Sequence, residues 1–165
     1  METYFVRVGG PETSFSAIHL VTFEDGSAEN LHGHSFRVAA EVEGPLDRNG
    51  LVLDFVRLKR LLGEVVAELD HRVILPTRSP ALAVEVEAEE VQARLRDRRW
   101  VFPEKACALL PIANATVELL AAWIAARLLA AIGPSKGGRP APAVARLRVE
   151  VEESPGQTAA CEVVP

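Results

Sequence analysis

Hydrophobic and polar residues change rhythm along this chain, and the rhythm predicts its elements. From Leu31 to Glu43, Phe36, Val38, Ala40 and Val42 alternate with polar or small residues, the two-residue period of a half-buried strand. Phe15 to Phe23 is extended in the same sense, and the two runs can pair as a hairpin across the polar loop Glu24–Asn30. A weaker alternation from Thr3 to Val8 predicts a first strand, broken by Gly9-Gly10-Pro11. Gly44 to Gly50 is dense in turn formers, and then the period lengthens. Leu58, Leu61, Leu62, Val65, Val66 and Leu69 mark one face of a helix, with Asp54 as its N-cap and its end near Leu69. A second helix opens at Asn114-Ala115-Thr116-Val117-Glu118, runs to about Ile132 and stops at Gly133-Pro134, as helices commonly do.

The loop Gly133 to Pro142 leads into Ala145, Leu147, Val149 and Val151, which alternate with Arg146, Arg148, Glu150 and Glu152. That is an amphipathic strand, turned at Pro155-Gly156 into a last short strand through Ala159, Cys161 and Val163. Residues 78–110 are ambiguous. Leu82, Val84, Val86 and then Val91, Ala93, Leu95 suggest a hairpin turning near Glu89-Glu90, and Trp100 to Pro103 reads as extended; a helix through Val84, Ala88, Val91 and Leu95 fits almost as well. The resulting order is strand, strand, helix, helix, strand, strand. The expected fold is α+β: a four-stranded antiparallel sheet with two helices on one face, one domain over residues 1–165, and a hairpin-like insertion at about 78–110. The bare sheet face then calls for a cover, which oligomerisation supplies.

Composition narrows the function. A net charge of −5 argues against a nucleic-acid partner recognised through a basic surface. No apolar run is long enough for a membrane span, and the N-terminus lacks the basic-then-apolar order of a secretory signal. Cys107 and Cys161 make no disulfide framework, so a reducing, cytoplasmic location is expected.

The chemistry concentrates in Leu31-His32-Gly33-His34-Ser35-Phe36. On a strand, His32 and His34 share a face about 6–7 Å apart, close enough to lean onto one metal ion. Gly33 between them leaves the opposite face open to close approach. His19, on the neighbouring extended run, is the third candidate ligand. Three histidines leave Zn²⁺ one open position, the pattern of a catalytic site. Asp70-His71 is either a proton-relay pair or a helix C-terminal cap. Glu152-Glu153 can receive two parallel hydrogen bonds from an amino-pyrimidine edge or can be a solvated strand end. Thr116 and Glu118 are substrate contacts or helix-start residues.

Taken together, Phe15-Ser16-Ala17-Ile18-His19, Leu31 to Phe36, Gly44 through Leu53-Asp54-Phe55, Leu69-Asp70-His71, Thr116-Val117-Glu118 and Glu153-Ser154 resemble the 6-pyruvoyltetrahydropterin synthase family, which includes 6-carboxytetrahydropterin synthase. The resemblance spans most of the chain outside about 78–110. It implies the T-fold, trimers stacked into a hexamer, and active sites between subunits. It implies His19, His32 and His34 as zinc ligands, Asp70 and His71 in proton transfer, Glu153 as the pterin anchor, and Thr116 and Glu118 lining the pocket. The implied substrate is 7,8-dihydroneopterin triphosphate or a relative, and the implied activity is that of a zinc-dependent carbon–oxygen or carbon–carbon lyase.

One position departs. The family's proton-abstracting cysteine lies four residues before the first histidine of the pair, and Ala28 stands there. Three readings follow: Glu29 substitutes, Asp70-His71 acts alone, or the chain binds a pterin without catalysis. Some members of the family that carry Glu instead of Cys near this place cleave the dihydroneopterin side chain to 6-hydroxymethyldihydropterin, so the change points toward cleavage rather than triphosphate elimination. Cys107 has no spacing that supports a role.

Overall fold

A computed structural model describes residues 2–133 and 142–165. Most of the expected loop after Gly133 therefore lies outside the described residues. The strands are β1 (Tyr4–Val8), β2 (Ser14–His19), β3 (His32–Gly44), β4 (Arg72–Pro76), β5 (Ala83–Glu87), β6 (Glu90–Leu95), β7 (Arg98–Pro103), β8 (Cys107–Leu110), β9 (Arg146–Ser154) and β10 (Gln157–Val163). The helices are α1 (Phe55–Ala67) and α2 (Val117–Ile132). Asp54 caps α1 as expected, its carboxylate accepting the Arg57 N–H at 2.8 Å.

β3 is the spine of the main sheet. β9 lies along one flank, pairing residues 37–43. The other flank is shared end to end: β2 pairs residues 32–37 and β1 pairs residues 40–44. Gly9 and the 3-10 turn Pro11–Thr13 separate these two short strands. The order is β10-β9-β3-β2-β4-β8, with β1 also on β3. The expectation of four antiparallel strands is thus corrected to seven strands in a mixed sheet, because β4 joins β2 and β8 joins β4 in parallel.

The added strands have a physical reason for escaping a period-two reading. Both faces of β4 and β8 are covered. Ile74, Ala108 and Leu110 belong to the main core, while Val73, Leu75, Cys107 and Leu109 pack into a second, smaller one. Strands buried on both sides read as continuous apolar runs rather than alternating ones.

The main core lies between the sheet and the helices. Phe36, Val38, Ala40 and Val42 of β3 meet Leu147, Val149 and Val151 of β9 beneath Leu58, Leu62, Leu120 and Ile124, all of them buried. The opposite face is not an apolar surface awaiting a cover. It carries a charge lattice in which Arg7 meets Glu150 at 3.0 Å, Arg37 meets Glu152 at 3.4 Å and Arg146 meets Glu43 at 2.7 Å.

Residues 83–103 form a separate three-stranded sheet, β5-β6-β7. The expected hairpin is present, turning at Ala88-Glu89, and β7 extends it. Both turn residues lie at positive φ, 49° and 66°, as a two-residue hairpin loop of this hand requires. Leu82, Val91, Ala93 and Leu95 bury its inner face over β4 and β8, and Ala28 and Leu31 pack against the same cluster.

Candidate metal centre and its surroundings

The end of the β2–β3 ladder builds the site. His19 and His32 are directly paired across the two strands, and His34 pairs with Ala17. The side-chain period then puts all three imidazoles on the helix-facing side. One nitrogen from each lies within 4.8 Å of the others, and ring centroids are 4.7 to 5.4 Å apart.

Backbone carbonyls set the tautomers of two rings. His19 Nδ1 is 2.8 Å from the Ala115 carbonyl, and His32 Nδ1 is 2.8 Å from the Asn30 carbonyl. Each Nδ1–H donates, so each Nε2 presents a lone pair. His19 Nε2 is buried and has no hydrogen-bond partner. The nearest group, Glu153 Oε1, is 3.2 Å away, but a carboxylate and an imidazole lone pair are both acceptors. A ring nitrogen of His32 and one of His34 lie close to the same point, and a cation among the three rings would satisfy the orphaned nitrogen, so the donor set fits a metal ion. Burial pushes the His19 pKa down from its ordinary value, against smaller raising effects of the Ala115 carbonyl and Glu153. Burial therefore favours the neutral, metal-binding imidazole.

The start of α2 belongs to this site in a way the sequence reading missed. Asn114 Oδ1 accepts the Thr22 N–H at 3.1 Å, and its Nδ2 donates to the Thr22 carbonyl at 2.8 Å. This pair of hydrogen bonds ties the chain after β2 to the helix start, and so fixes Ala115, whose carbonyl holds His19. An asparagine just before a helix-opening Thr-x-Glu was the available signal. Thr116 caps α2, accepting the Leu119 N–H at 3.4 Å. Glu118 is exposed on the first helical turn, where a negative charge suits the helix dipole.

Glu29 reaches the cluster. Its carboxylate lies 3.9 Å from His32 Nε2 and accepts the Val21 N–H at 3.3 Å. Ala28 packs against the small sheet's core instead. Glu153 also reaches the cluster, 3.9 Å from His34 Nε2 as well as near His19.

Asp70 and His71 do not join it. Asp70 Oδ1 accepts the Ser16 N–H at 2.8 Å, and the His71 N–H donates to the Ser16 carbonyl at 2.7 Å. His71 Nδ1 is 2.9 Å from Asp70 Oδ2. The ring bonds Asp70 rather than the last carbonyls of α1, so the helix-cap reading does not apply. The His71 ring is 83% exposed, and the residue sits at φ 57°. It lines a cavity of about 560 Å³ over Ser16, Ile18, Gly33 and Ser35, the positions that alternate with the triad-facing ones. Gly33 leaves this face open, although a Cβ there would make only ordinary contacts, 3.5 Å from the Ala17 carbonyl. The close approach expected at Gly33 is therefore not made within this chain.

A mixed sheet backed by two helices, with a three-histidine cluster that could hold a metal ion at the end of its central hairpin, defines a T-fold protein. The chain belongs to the 6-pyruvoyl tetrahydropterin synthase family, whose model matches residues 11–163. A putative 6-carboxy-5,6,7,8-tetrahydropterin synthase of Pyrococcus abyssi is 30% identical over 142 residues, 86% of this chain and 80% of its own. The dihydroneopterin monophosphate aldolase of Pyrococcus furiosus is 48% identical over 59 residues, 36% of this chain and 49% of its own. The crystal structure of 6-pyruvoyl tetrahydropterin synthase from Plasmodium vivax superposes with a TM-score of 0.90 at 28% identity, covering 100% of both chains. That Plasmodium enzyme has also been solved with a catalytic glutamate changed to alanine and to cysteine. No helix among the described residues is long and apolar enough to cross a membrane.

Proposed function

We propose that this protein is a zinc-dependent lyase that cleaves the side chain of 7,8-dihydroneopterin or one of its phosphate esters. The observation that carries the reading is the Glu29 carboxylate 3.9 Å from His32 Nε2, beside the cluster and in the role left open by Ala28. A catalytic glutamate in the Plasmodium vivax relative and the aldolase among the relatives support it.

His19, His32 and His34 would hold the ion, which supplies Lewis-acid polarisation of a bound oxygen. Glu29 takes the proton of the side chain's second hydroxyl. The bond between the first and second side-chain carbons then breaks, its electrons pass into the dihydropterin, and a two-carbon aldehyde or its ester leaves. The first carbon regains a proton, giving 6-hydroxymethyldihydropterin. Glu153 anchors the pterin's amino-pyrimidine edge through paired hydrogen bonds, and Thr116 and Glu118 border the same pocket. The Asp70–His71 pair faces away from its own triad, so a neighbouring copy in a homo-oligomer, expected to be a hexamer, supplies it as the second proton carrier. In that pair Asp70 holds Nδ1–H and leaves Nε2 as the base.

The test is to incubate zinc-loaded protein with dihydroneopterin, its monophosphate and its triphosphate, and identify products by mass spectrometry. The reading expects 6-hydroxymethyldihydropterin, lost in Glu29→Gln by about 100-fold or more. A carboxy- or pyruvoyl-tetrahydropterin product would refute side-chain cleavage, and tight pterin binding without turnover would refute catalysis.

A further inference from the structure

Residue 28 packs toward the small sheet and residue 29 reaches the metal cluster. A bridge between Thr22 and Ala28 and the Glu29 N–H on the Val21 carbonyl at 3.0 Å tie the loop to the end of β2, and the small sheet grips it from the other side. Three groups of the β5-β6-β7 sheet touch the segment Asp25–Leu31. Arg98, at the start of β7, donates from its guanidinium to the Glu29 carbonyl at 3.1 Å. Its guanidinium carbon lies 5.4 Å from the Trp100 ring centroid, so the arginine is held on both sides. Arg96, in the β6–β7 turn at φ 54°, donates to the Asp25 carbonyl at 3.2 Å. A Cβ at Gly26 would collide with the Arg96 guanidinium, so the glycine makes room for it. Ala28 and Leu31, both half-buried, pack against the small sheet's apolar cluster and flank Glu29 on both sides.

We infer that the small sheet is the device that selects Glu29 as the residue presented to the metal cluster, with Arg98 as the positioning residue that grips its backbone. The function assigned to Glu29 rests on the reading above; the orientation of the loop does not. Two apolar side chains three residues apart are anchored in one cluster, and the polar residue just after the first is turned the other way. The Glu29 carbonyl, pulled toward Arg98, sets the peptide plane from which the side chain departs. Arg98 contacts the carbonyl and not the carboxylate. Its loss therefore changes where the carboxylate sits while leaving the metal ligands intact. The arrangement also accounts for a catalytic position displaced by one residue: residue 28, half-buried, packs against the small sheet's core.

The test uses two cysteine variants of the full chain, Ala28→Cys and Glu29→Cys, alkylated with iodoacetamide and followed peptide by peptide, with Cys107 and Cys161 as internal references. Glu29→Cys is expected to react at least about tenfold faster than Ala28→Cys, which the small sheet shields. Adding Arg98→Ala should bring the two rates close together, and Arg98→Lys, which keeps a cationic donor, should restore most of the difference. Equal rates in the intact sheet, or a difference that survives Arg98→Ala, would overturn the inference. In turnover, Arg98→Ala should lower kcat about tenfold by misplacing the base, with KM and metal stoichiometry unchanged. A rise in KM with kcat unchanged would make Arg98 a substrate contact and also overturn it. Full activity of Glu29→Gln would instead remove the acid–base role of Glu29, and the alkylation contrast would still decide what orients the loop.

Discussion

Two imidazole centres occupy opposite faces of one sheet, and they are built to different degrees of completion. The triad has its rings within reach of one another, carbonyls fixing two tautomers, and one ring fully buried. The Asp70–His71 pair has its orienting carboxylate but little else; its ring stands in solvent. The first centre converges within one chain. The second is an oriented imidazole open to solvent, and under the function proposed above it works on a neighbouring copy's triad.

The sharpest way to test this contrast is to break each centre separately. His32→Ala should reduce bound zinc to less than about a tenth of an equivalent at micromolar free metal, since even outer-shell partners are worth 10–100-fold in affinity. Atomic emission on folded protein checks it, and retention of a full equivalent would remove His32 from the site. His71→Ala should keep its zinc and lose turnover by about 100-fold. Coincident loss of both would merge the two centres. If they belong to different chains in the working assembly, an equimolar mixture of the two variants, dissociated and reassembled, should regain about a quarter of wild-type activity. No regain would place both in one chain's site.

Smaller effects sharpen the same comparison. The Asp70 carboxyl is held below its ordinary pKa, chiefly by the Ser16 N–H and then by the His71 imidazole. A carboxylate with a depressed folded value stabilises the fold above the unfolded value, about 3.9, and that contribution disappears as pH falls from there through the folded value. Urea midpoints of wild type and Asp70→Asn should therefore diverge above about pH 4 and converge in stronger acid. A constant gap would show that Asp70 contributes without ionising. Thr116→Ala, which removes the cap of α2, should cost about 1 kcal/mol in thermal denaturation. A raised KM in that variant would add the substrate contact expected from the family.

The triad was legible because its geometry is local. A His-x-His on a strand and a third histidine on the partner strand need only the pairing of two neighbouring runs. The Asp70–His71 pair was legible as a pair but not as to its face, because a left-handed residue at the mouth of β4 decides that. Strands β4 and β8 carried no alternation to read, since two cores claim their two faces. Ala28 and Glu29 lie in a polar stretch with no alternation to read, and the Thr22–Ala28 bridge and the small sheet, both long-range in the local pattern, decide which one turns inward. The meeting of Glu153 with His19 and His34 joins residues more than a hundred positions apart; the sequence offered it only through family resemblance.

The charge lattice on the helix-free face has one more consequence. Arg37 stands opposite Glu152, Glu41 opposite Arg148 and Glu43 opposite Arg146. Were β9 to shift two residues so that Glu41 faced Glu150, Ala40 would still meet Val151 and Val42 would meet Val149 on the buried side, while Val38 would face Glu153. Hydrophobicity would object at that one pair alone. The same shift would carry Glu153 about 7 Å along β3, away from the histidines. Like charges meeting across the strands oppose that misalignment. Residues that touch neither metal nor pterin thus act as proofreaders, keeping a carboxylate on the far side of the sheet in its place.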